Sequence, residues 1–102
     1  MTVQPQIGSA LILTEPRFRL GQVVITRAAA ETLDNGDVIQ TLQRHVKGDW
    51  GDVCPEDWQA NELALKNDSR LLSSYNSQSG TKFWIITEWD RSVTTILLPE
   101  DY

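Results

Sequence analysis

Lys82-Phe83-Trp84-Ile85-Ile86-Thr87-Glu88 is the stretch on which the fold turns. Phe83, Ile85 and Thr87 alternate with Trp84, Ile86 and Glu88, so a strand here carries apolar side chains on both faces, and part of each face needs cover. A central strand is the natural reading. On either side lie Leu71 to Tyr75 and Ser92 to Leu98, both rich in β-branched, aromatic or aliphatic residues. The links, Asn76-Ser77-Gln78-Ser79-Gly80 and Trp89-Asp90-Arg91, are too short for a crossover, so the three runs predict an antiparallel meander. Pro99 then removes a ladder donor and ends the last strand.

Upstream of Arg70 the period lengthens to that of helices. Pro55 suits a first helical position, Glu56 and Asp57 suit a first turn, and Asn67-Asp68 stops the segment after Lys66. Before it, Val38, Leu42 and His45, with Ile39 and Val46, share one side of a helix expected from Val38 to about Lys47, with Asp37 as cap and Gly48 as terminator. Thr26 is a natural N-cap for a short helix from Arg27 to Leu33, and Phe18 to Ile25 reads as a strand with a bend at Gly21. Residues 1–16, with Pro5, Gly8, Pro16 and the apolar island Ala10-Leu11-Ile12-Leu13, read as a loose arm. The expected architecture is α+β: two to three helices packed on one antiparallel sheet of three or four strands, with residues 17–102 as a single domain.

Composition narrows the function. With 102 residues there is room for one core. A mean hydropathy of −0.32 and no long apolar run argue against a membrane span, and residues 1–16 lack the pattern of a secretory leader, so a cytoplasmic protein is expected. Nine Lys and Arg face fourteen Asp and Glu, a net charge of −5, which disfavours general nucleic-acid binding. Cys54 is the one cysteine and His45 the one histidine, too few for a structural zinc, and neither metal nor cofactor is expected.

Two sets of residues are candidates for function. Asp49, Asp52, Glu56, Asp57 and Glu62 occur between Lys47 and Lys66 with no basic residue among them, and Trp50 and Trp58 frame the connector. Asp49, Trp50, Asp52, Glu56, Asp57 and Trp58 are thus a candidate docking surface for a protein with a basic face. The bland alternative is a solvated helix start, with the tryptophans as core anchors. The second set, His45, Arg70, Glu88 and Arg91, could supply acid, base and anion clamps in a small ribonuclease-like or toxin-like enzyme of barnase or RelE layout. Here too a structural reading competes: His45 as a bonded core residue, Asp90 closing an Asx turn, and Arg91 pairing with Glu88. An exposed sheet edge would also permit a homodimer.

His45-Val46-Lys47-Gly48-Asp49-Trp50-Gly51-Asp52, then Asn61 with Ala64-Leu65, Arg70-Leu71-Leu72-Ser73-Ser74-Tyr75, and Trp84-Ile85-Ile86-Thr87-Glu88 with Asp90-Arg91-Ser92-Val93-Thr94-Thr95-Ile96-Leu97-Leu98-Pro99-Glu100, resemble the bacterial family labelled "plasmid-related protein". The resemblance covers most of residues 17–102. It implies carriage on plasmids, integrative elements or gene cassettes, and implies no activity. Cys54 and Trp58 depart from the polar residues such proteins tend to carry there, which marks that surface as particular to this chain.

Overall fold

The alternating run forms a strand, and its neighbours pair with it. The computed structural model describes residues 15–102. In chain order they form β1 (Gln22–Ile25), α1 (Arg27–Thr32), α2 (Asn35–Val46), α3 (Pro55–Asn67), β2 (Leu71–Asn76), β3 (Lys82–Thr87), β4 (Val93–Leu97) and a 3-10 turn (Pro99–Asp101). The α+β class is as expected, with three helices on a four-stranded sheet of order β1-β4-β3-β2. β2, β3 and β4 are antiparallel neighbours, with Ser73 opposite Ile85 and Ile85 opposite Ile96. The sheet as a whole is mixed, because β1 runs parallel to β4. Everything from α1 to β3 lies between these two strands in the chain, so they meet across a long connection and not a hairpin. Most of the arm expected over residues 1–16 lies outside the described residues.

The sheet alternates as the period-two pattern requires. Its inner row includes Tyr75, Phe83, Ile85 and Ile96, which bury with Leu98, with Ala29 of α1 and with Leu33 just beyond it, while Val38 and Leu42 of α2 pack against them. A second cluster joins Leu71 to Trp50 and Ala64, with Phe18, Val53, Trp58 and Leu65 around it. Neither cluster includes Leu72, Trp84 or Leu97, which occupy the other face of the sheet. There Tyr102 sets its ring edge-on to Trp84 at 5.8 Å.

Local chemistry fixes the helix ends. Thr26 caps α1 by accepting from the Ala29 N–H, and Pro55 opens α3, which Asp68 ends in the left-handed region. α2 begins three residues before the expected Val38. Its cap is Asp34, whose side chain accepts from Gly36, and Asp37 lies inside the first turn, buried, with a carboxylate oxygen on the Gln78 N–H. No described helix is long and apolar enough to cross a membrane.

Candidate functional site

The connector between α2 and α3 is held from both sides. Gly48 ends α2 at a φ of +89°, where a Cβ would meet the Arg17 side chain. Asp49 then turns back on Arg44, accepting at 2.8 and 3.3 Å, and also accepts from the Gly51 N–H. The Arg44 hydrogen bond holds the Asp49 carboxyl below the usual carboxylate range. Gly51 lies at a φ of +78° against the edge of β2, so close that a Cβ would overlap the Ser74 carbonyl. Trp50 is fully buried and donates its indole N–H to Glu62 at 3.0 Å. Arg17 clasps the same carboxylate with two bonds of 3.0 and 2.9 Å.

These contacts divide the expected docking surface. Trp50 belongs to the core and offers nothing to a partner, while Asp49 and Glu62 are each neutralised by an arginine. Trp58 is half-buried against the second cluster. Asp52 keeps a side chain 70% exposed beside Lys82 at 3.3 Å. Glu56 and Asp57 point outward from the first turn of α3 and form no ion pair with any described residue. Next to them is a cavity of about 240 Å³ lined by Asp57, Ala60, Asn61, Arg70 and Leu72. The acidic front is thus smaller than the run of acids in the sequence suggests.

His45 lies at the centre of the core, with no exposed surface. Its Nδ1 is 2.6 Å from Ser73 Oγ and its Nε2 is 2.9 Å from Thr87 Oγ1. Thr87 Oγ1 is in turn 2.7 Å from Thr94 Oγ1, and Thr94 donates to the Leu20 carbonyl at 2.7 Å. A carbonyl can only accept, so the direction of every link follows from the last one. Thr94 spends its proton on Leu20, Thr87 donates to Thr94, and His45 donates to Thr87 from Nε2. Nδ1 is left as the acceptor for Ser73. Burial, reinforced by the positive charge of Arg91, pushes the imidazole pKa down to about 3, so the ring is neutral at ordinary pH. Phe18 and Trp50 close around it edge-on, with centroids 5.2 and 5.7 Å away.

The other members of the candidate catalytic set have separate tasks. Arg70 is exposed, donates to the Tyr102 hydroxyl at 2.7 Å and lies over that ring. Arg91 adopts a φ of +61° and donates to the carbonyls of Ala64, Ser69, Glu88 and Trp89, joining the end of α3 to the β3–β4 turn. It therefore bonds the Glu88 backbone, where a side-chain pair was expected. Asp90 forms the expected turn, accepting from the N–H and hydroxyl of Ser92. Sequence reasoning missed Ser73 and Thr87, which with Thr94 put hydroxyls at inward positions of three strands, and that unusual polar row is the signal that could have found them. Among the described residues, no three His, Cys, Asp or Glu side chains are grouped to hold a metal ion.

No family model matches this chain, and no curated protein or solved structure is significantly similar to it.

Proposed function

We propose that this chain is a non-catalytic protein-binding module that presents the beginning of α3 to a basic surface of another protein, and that it serves a bacterial mobile element as an accessory factor. The observation that carries the binding reading is the outward, unpaired disposition of Glu56 and Asp57 beside the exposed Asp52, with the Asp57-lined cavity alongside. Acids on the first turn of a helix are held rigidly, so their field can steer a basic partner without ordering a loop. The setting on a mobile element rests on the resemblance of the quoted strings. A ribonuclease-like reading would need His45 to reach a substrate, and the imidazole is enclosed on every side.

Carbodiimide coupling in bacterial lysate, followed by mass spectrometry, tests the binding reading. Glu56 and Asp57 should couple to lysines of a discrete partner, and capture should fall as salt rises. Replacing both acids, Glu56→Lys with Asp57→Lys, should abolish capture while the far-ultraviolet circular dichroism spectrum is unchanged. An identical set of captured proteins with and without the charge reversal would remove the idea.

A further inference from the structure

The two long edges of the sheet are finished differently. On β2, Leu72 and Ser74 direct their backbone groups away from β3, and all four groups are met. Asn61 takes both the N–H and the carbonyl of Leu72, Ser74 donates to the Trp50 carbonyl, and Asp52 donates to the Ser74 carbonyl. On β1, Gln22 and Thr26 donate to Ser92 and Ile96 of the β4 side. By alternation, Val23 and Ile25 turn their N–H and carbonyl groups the other way, and no described residue bonds them. The strand has no charge, proline or bulge to deter pairing. Val23, Val24 and Ile25 are 43, 37 and 40% exposed, a run of β-branched side chains on an open edge.

We propose that β1 is a self-association edge, pairing antiparallel with β1 of a second copy to make a continuous eight-stranded sheet. The outward groups match themselves in one register. Val23 and the partner subunit's Ile25 exchange both backbone hydrogen bonds, Ile25 and the partner subunit's Val23 do the same, and Val24 faces its own copy across the two-fold axis in a non-hydrogen-bonded pair. Because β2 is closed at Leu72 and Ser74, leaving only the terminal Asn76 with outward groups that no described residue meets, pairing stops at two copies and does not run on into a fibre. A four-residue edge buries little area, so association should be reversible and depend on concentration.

Sedimentation velocity on the full chain should show a monomer giving way to a dimer between micromolar and millimolar concentration. Val24→Lys sets like charges against each other on the axis and should leave only monomer. In a Cys54→Ser background, Val24→Cys should oxidise to a covalent dimer. Val23→Cys and Ile25→Cys should each fail to do so alone and succeed when mixed. Amide exchange at Val23 and Ile25 should be fast in dilute solution and slow on concentration. A monomer at every concentration overturns the proposal, as does a dimer that Val24→Lys does not disturb. Equal cross-linking from all three positions also overturns it. Protection of those amides in a monomer would do the same, since the edge would then be occupied from within the chain, by Ala10 to Leu13 for instance.

Discussion

Protonating His45 would put a charge into a site sealed from water and near Arg91, and would force the Ser73 hydroxyl to turn its proton away from Nδ1. The imidazole nitrogens should therefore give one fixed pattern, protonated Nε2 and bare Nδ1, in nitrogen-15 spectra from pH 8 to pH 5. A ring that titrates near its ordinary value would show that the enclosure is wrong. Thr87→Val removes the acceptor from Nε2 at almost constant shape. A buried N–H left without a partner costs about 1–3 kcal/mol, which urea unfolding would read as a lower midpoint with an unchanged slope. The burial of His45 was legible in the sequence from its place beside Leu42 and Val46. Its partners were not, since Ser73 and Thr87 lie 28 and 42 residues away and only the finished sheet brings them to the ring.

Elements whose signals are local were read well. The meander followed from alternation and short links, and α3 from Pro55 and the acids after it. α2 was misplaced at its start because Asp34, Asn35 and Asp37 all suit a cap, and the choice of Asp34 is made partly elsewhere, by Asp37 folding inward to meet Gln78. Asp34→Ala should cost about 1 kcal/mol, the usual worth of such a cap, measured by chemical denaturation. The parallel pairing of β1 with β4 had no local signature at all. Nor had the finish on β2, which depends on Asn61 reaching across from α3. Asn61→Ala strips the Leu72 backbone of both partners. It should cost roughly 2 kcal/mol, and exchange of the Leu72 amide should accelerate more than that of its neighbours. Exchange rates at Leu72 that move only with global stability would count against this role.

For the molecule as a whole, acid should act in two stages. The folded-state pKa of His45 is depressed from 6.5 to about 3, so between those values the unfolded chain binds a proton that the native state refuses. Stability is fully present above about pH 6.5 and falls as the pH drops toward 3, by up to roughly 5 kcal/mol at 1.36 kcal/mol per unit. Asp49, Glu62 and Asp90 also have lowered pKa values, through Arg44, Arg17 and Ser92 respectively. Their contributions are present above the ordinary carboxylate range and are lost below it. Urea midpoints should thus begin to slide by pH 6, ahead of any carboxylate. A flat profile down to pH 4.5 would contradict the His45 assignment. The acidic front, broad in the sequence, contracts in three dimensions to Asp52, Glu56 and Asp57 because Arg44, one turn back along the chain, claims Asp49 and the distant Arg17 claims Glu62.

The relay that begins at Ser73 ends on a carbonyl just before β1, on the far side of the sheet. If β1 peels away, Thr94 loses the one acceptor that dictates its orientation, both threonine hydroxyls become free to swing round, and the ring can exchange one tautomer for the other. A single aromatic nitrogen deep in the interior thus works as a remote gauge of whether the outermost strand is seated.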